Sequence, residues 1–124
     1  MAKSVYTKNA PDAIGPYSQA IVTGNLVFTS GQIAINPASG NVEATTIEGQ
    51  TEQVCKNLSE VLKEAGSSID KTVKTVCFLS DMDNFAAFNE VYGKYFKSKP
   101  ARSCVAVKTL PKNVLVEVDV IAEI

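Results

Sequence analysis

Apolar and polar residues alternate along the last eleven positions of the chain. Val114, Val116, Val118, Val120 and Ala122 fall on one face of an extended strand, and Leu115, Glu117, Asp119, Ile121 and Glu123 on the other. The first face suits burial under helices. The second carries a carboxylate at three of its five positions, so it must meet water, a partner subunit or a site. Residues 101–108 (ARSCVAVK) and 72–79 (TVKTVCFL) predict two further strands. The short linker TLPKN makes 101–108 and 114–124 a plausible antiparallel pair. Near the start, residues 3–7 predict a short strand. The stretch NAPDAIGPYSQ is rich in turn residues and predicts a loop. AIVTGNLVFTSG predicts a hairpin, with strands at 20–23 and 26–30 around a Gly24-Asn25 turn. IAINPASGNVEA predicts a second loop.

Helical spacing appears twice. Ile47, Val54, Leu58, Val61, Leu62 and Ala65 recur on one face behind a Thr45-x-x-Glu48 capping box, and Gly66 stands where a left-handed cap belongs. A second helix opens after Asp83 or Asn84, with Phe85, Phe88, Val91, Tyr92, Tyr95 and Phe96 as its apolar stripe and Pro100 beyond its end. The aromatic stripe reads as core. The order ββ(β)-α-β-α-β-β predicts one α+β domain over 1–124, with two helices on one face of a mixed sheet. No repeat or low-complexity segment interrupts it.

Composition narrows the chemistry. Net charge is −1 and no basic run is present, so no nucleic-acid-binding face is predicted. Cys55, Cys77 and Cys104 form no C-x-x-C pair and read as reduced thiols. The N-terminus has no apolar signal core and no run reaches membrane-spanning length, so a cytoplasmic protein is expected. The chain has no histidine, which removes the commonest general base and transition-metal ligand. No metal site is expected: Glu117 and Asp119 alone are a very weak cation signal. No phosphate- or dinucleotide-binding glycine pattern is present. One arginine, Arg102, stands against eleven lysines.

Arg102 lies in a strand otherwise rich in Ala and Val. Its fork suits bidentate capture of a carboxylate or phosphate; a structural ion pair with Glu117 or Asp119 is the competing reading. Glu117 sits among valines, where burial would raise its pKa and a nearby Arg102 would lower it; position alone favours a charge on a solvated sheet face over a general base. Tyr17 follows a Gly15-Pro16 turn and offers a phenol to a substrate or to solvent. Ser30, Gly31 and Gln32 end a strand, where backbone N–H groups can face a ligand. Without histidine, neither Ser30 nor Cys104 has the base that a nucleophile needs.

GPYSQAI, the following LVFTSGQ, the segment PARSCVAV and the terminal VEVDVIA together resemble the RidA/YjgF family of reactive-intermediate deaminases, across nearly the whole chain. The PARS segment followed about fifteen residues later by Val-Glu is the most specific of these patterns. Val118 departs from it conservatively, since the family more often has Met or Ile after the glutamate. The resemblance implies a chorismate-mutase-like subunit, a homotrimer with sites between subunits, and no cofactor. It implies hydrolysis of 2-iminobutanoate and 2-iminopropanoate, released by pyridoxal-phosphate-dependent dehydratases, to 2-keto acids and ammonia. By position, Arg102 would bind the substrate carboxylate, Glu117 would activate water and Tyr17 would hydrogen-bond the substrate. Ser30, Gly31 and the backbone of Cys104 would line the pocket, with Asn84 and Phe85 nearby. The expected partners are small imino and keto acids, with neither nucleic acid nor membrane. The chemistry is consistent: an imine carbon is already electrophilic, so a held carboxylate, a positioned water and one proton carrier suffice. A non-catalytic regulatory protein that binds small carboxylates through the same arginine is the alternative. A ribonuclease or translation inhibitor, a third role attached to members of the family, fits poorly with near-neutral charge and no histidine.

Overall fold

The computed structural model describes residues 1–124. Its elements are β1 (Lys3–Val5), β2 (Ala20–Thr23), β3 (Leu26–Thr29), β4 (Ile35–Asn36), β5 (Asn41–Val42), α1 (Ile47–Glu64), β6 (Thr72–Leu79), α2 (Phe85–Tyr95), β7 (Ala101–Ala106) and β8 (Val116–Glu123). Six strands form one sheet in the order β1-β2-β3-β8-β6-β7, and β4 and β5 pair separately. All pairings in the large sheet are antiparallel except β6 with β7.

Both helices cover one face of this sheet. The alternation in β8 decides which: Val116, Val118, Val120 and Ala122 are buried, as are Val54, Leu58, Val61 and Leu62 of α1 and Phe88 of α2. Burying a Leu or Val side chain of this kind stabilises the fold by roughly 1.5–3 kcal/mol, so this shared core fixes β8 at the sheet's centre. Thr75, Cys77 and Leu79 of β6 point to the same side, and Thr75 Oγ1 lies 2.8 Å from the Tyr92 hydroxyl of α2. The other face has no helix. It presents Glu117, Asp119 and Ile121 of β8, Val76 and Phe78 of β6, and the exposed Val105 of β7.

Three expectations are corrected. The strands at 101–108 and 114–124 do not pair: β6 lies between them, and β7 runs parallel to it at the sheet edge. Helix α2 carries the chain back over the sheet from β6 to β7, a crossover that makes a parallel neighbour. The helix cap is Thr46, not Thr45: Thr46 Oγ1 accepts from the Gly49 N–H at 3.1 Å, so no capping box with Glu48 forms. The segment 33–44 is not all loop, because Ile35 pairs with Val42 and Asn36 with Asn41 to make the small hairpin. The far end of α1 is as expected. Gly66 adopts φ +85°, its N–H reaches the Lys63 carbonyl, and the Ser67 N–H reaches that of Leu62, a Schellman closure.

Candidate functional site

The ends of β3 and β8 meet the loop 6–19 and enclose a cleft of about 370 Å³ on the helix-free side. Glu117, Tyr17, Ser30, Gly31, Gln32 and Asp12 contribute to its lining. Glu117 comes from β8 opposite Phe78. An isolated bridge between Gln32 and Val118 continues the β3 path beside it, with the Gln32 N–H donating to the Val118 carbonyl at 2.8 Å. Burial pushes the Glu117 carboxyl above its ordinary value, and Asp119 on the same face adds to the shift. Asp119 is itself raised by burial. Burial, one of the two effects weighed from the sequence, is thus present at Glu117; the lowering by Arg102 is not.

Gln19, the last residue of GPYSQ, anchors the loop. It is buried, its Oε1 accepts from the Thr7 N–H at 2.7 Å, and its Nε2 donates to the carbonyls of Thr7 and Pro11 at 3.0 and 2.8 Å. These bonds hold the stretch that carries Asp12 and Tyr17. The Tyr17 hydroxyl accepts from the Ile14 N–H at 3.2 Å, while the residue stays half exposed at the cleft. Ser30 lines the cleft, and its hydroxyl donates to the Ser18 carbonyl at 2.6 Å. That bond ties the loop to the end of β3.

Arg102 lies elsewhere. It is registered with Thr75 and therefore shares the helix-covered face. Its Nη1 donates to Asn89 Oδ1 at 2.7 Å, and its guanidinium carbon sits 4.9 Å over the Tyr92 ring and 5.4 Å over that of Phe85. Lys97 and Lys99 border the same shallow cleft. Glu117 and Asp119 point to the opposite side of the sheet, so the structural ion pair with either is ruled out. Cys104 follows on the Arg102 face, opposite Cys77. Burial raises the Cys104 thiol, against a lowering influence from Arg102 and Cys77. A raised thiol is a poor nucleophile.

The residues singled out from the sequence therefore form two groups. Glu117, Tyr17, Ser30 and Gly31 share the open-face cleft; Arg102, Cys104 and Phe85 lie across the sheet at the β7 edge. Asn84 is the residue before α2 and makes no cap bond there. Asn89, one turn on, is the partner of Arg102 and was not foreseen. Its signal was its position inside the aromatic stripe, four residues after Phe85 and three before Tyr92. Gln32 of the open cleft belongs to the strand end that the sequence offers to a ligand, whereas Asp12 is a cleft residue that the sequence does not single out. Asp12 lay in a segment legible only as loop.

No helix is long and apolar enough to cross a membrane. A family model described as endoribonuclease L-PSP matches residues 7–124. A putative regulator, AldR, of Lactococcus lactis is 51% identical over 98% of each chain. YyfA from Yersinia pestis, a protein of unknown function of the conserved Rid protein family, has a TM-score of 0.97 at 48% identity, with 100% of each chain covered. TdcF of E. coli, solved with bound serine, has a TM-score of 0.93 at 39% identity over 98% of each chain. With matches of this length and identity, the chain belongs to the endoribonuclease L-PSP family, the RidA/YjgF family that its motifs resemble.

Proposed function

We propose that the protein hydrolyses small 2-imino acids, 2-iminobutanoate and 2-iminopropanoate among them, to 2-keto acids and ammonia, in sites shared between neighbouring copies of a homotrimer. The observation that carries this reading is the division of the site. One chain offers a carboxyl in a cleft lined by no lysine or arginine. Its edge strand offers a guanidinium with no carboxylate partner, on the other face. A substrate carboxylate near Glu117 needs a cation, and a second copy's β7 edge would supply it.

Arg102 of one copy then holds the substrate carboxylate through its fork, kept in place by Asn89 and the rings of Tyr92 and Phe85. Glu117 of the next takes a proton from water as the water oxygen bonds to the imine carbon. The C=N pair moves to nitrogen, giving a carbinolamine. The imine is protonated at nitrogen at the outset, so this adduct is neutral. Glu117 returns its proton to the adduct's nitrogen, then takes the hydroxyl proton as the C=O bond forms and the C–N bond breaks with its electron pair on ammonia. It finally passes that proton to the ammonia, which leaves as ammonium. A raised carboxyl suits both halves of this proton traffic. Tyr17 lines the same cleft and would hydrogen-bond the substrate through its phenol.

The test couples a threonine dehydratase to the protein and follows keto-acid formation. Wild type should accelerate it. Arg102→Ala should abolish the acceleration, and Arg102→Lys should lose most of it, because a point charge does not replace the fork. Absence of acceleration by wild type, or full acceleration by folded Arg102→Ala, would sink the proposal.

The bound serine of TdcF and the regulator name of AldR favour a second reading, a small-carboxylate-binding regulatory protein. Glu117→Gln separates the two: a regulator has no turnover to lose, whereas an enzyme keeps binding and loses rate. RNA cleavage is disfavoured by the near-neutral net charge, which offers no basic face to a phosphate backbone, and by the absence of histidine.

A further inference from the structure

We propose that Gly31 is a positioning residue: by carrying no side chain it leaves the seat in which the Glu117 carboxyl lies. This rests on the imine-hydrolase reading for its catalytic consequence, and on geometry for the seat itself.

A Cβ added at Gly31 would meet Glu117 Cγ at 3.0 Å, Cδ at 2.8 Å, and Oε2 closer still. Three successive atoms of one side chain are involved, so Glu117 lies flat along the Gly31 backbone. Rotating the carboxylate end does not relieve the contact at Cγ. Backbone conformation does not explain the glycine. Gly24, Gly40 and Gly66 have positive φ, and Gly31 does not. Gly93, by contrast, has open space where a Cβ would go. The backbone at Gly31 also has little room to retreat. The Ser30 N–H is tied to the Gln19 carbonyl at 2.9 Å. Gln32 exchanges two hydrogen bonds with Val118, the residue beside Glu117, at 2.8 and 3.2 Å. With both neighbours pinned, and one of them to the strand that carries Glu117, a methyl group at position 31 displaces the carboxyl and not the chain.

The consequence is catalytic because placement is. A misplacement of about 1 Å at a reacting centre costs on the order of 100-fold in rate. Gly31→Ala should therefore lower kcat by about 100-fold and leave KM within about 3-fold. Glu117→Asp shortens the side chain by one methylene and draws the carboxyl out of the seat, at its own cost in rate. In that background the added alanine should cost less than about 10-fold, since its methyl has less to displace. An alanine that is equally costly in both backgrounds overturns the proposal, because a general structural defect would behave that way.

A crystal structure of Gly31→Ala gives a readout apart from turnover. The Glu117 carboxyl should move by more than about 1 Å. An unmoved carboxyl overturns the seat, whatever the activity. Wild type without imine turnover would overturn the catalytic reading and leave the seat to this measurement. If Gly31→Ala does not fold, Gly31→Ala with Glu117→Ala should fold, because the seat is then empty. Failure of that pair to fold also overturns the proposal.

Discussion

At the scale of single residues, the proposed site turns on two charges with opposite surroundings. Arg102 rests on aromatic rings and one amide, with no anion to neutralise it. Glu117 is half-buried beside another acid, and burial raises it above the ordinary 4.5. Attack on an imine needs the ionised carboxyl as base. Turnover should therefore climb with pH through a midpoint above 4.5, and Glu117→Gln should remove that limb; a pH–rate profile of the two proteins checks it. Asp119 gives the matching stability prediction. Its folded value is raised from 3.8, so the native chain binds that proton more tightly than the unfolded one. This favours the fold below 3.8, and the advantage is lost as pH rises through the raised value. Asp119→Asn should melt above wild type at neutral pH, with the gap closing near pH ~3, in thermal scans at both. The residue identities were legible in the sequence. Their separation across the sheet was not, because period 2 gives the face within a strand and says nothing of which faces of two strands agree.

At the scale of elements, periodicity specifies each segment but not its neighbours in the sheet. The helices and the strand at 72–79 follow from spacing, since each buries one face, and the hairpin follows from its Gly24-Asn25 turn. The pairing of β7 failed because a short linker favours a hairpin, while the sheet chose a parallel neighbour reached over α2. The cap failed by one residue because Thr45 and Thr46 both fit the pattern, and backbone geometry at Thr46 decided between them. That correction is testable. Thr46→Ala should lose about 1 kcal/mol and lower Tm by roughly 3 °C, and Thr45→Ala should leave Tm nearly unchanged. Thermal denaturation of the two variants, side by side, distinguishes them.

At the scale of the whole molecule, one sheet face lies under helices and the other holds a cleft beside an apolar surface that includes Phe28, Phe78 and Val105. The proposed shared site would explain why a chain with one arginine places it out of reach of its own Glu117. It also predicts complementation. Arg102→Ala and Glu117→Gln should each be inactive alone. Mixed in equal amounts through unfolding and refolding, they should recover about one quarter of wild-type turnover, because random assembly gives each site an intact arginine half the time and an intact glutamate half the time. A site within one chain would recover none. Mass measurement of the native particle should give three copies.

The sequence by itself determined the two helices and the strands of the large sheet, the buried face of β8, and the identity of Arg102, Glu117 and Tyr17 as candidates. Each is a local property: spacing sets which face is apolar, and residue type sets what chemistry is possible. Only the tertiary structure decided that β6 separates β7 from β8 and that Arg102 and Glu117 face opposite ways. It alone showed that Gly31 lies under the Glu117 carboxyl. Those facts depend on strand order and on close approach between distant segments, and the packing of two helices against a single sheet face settles both.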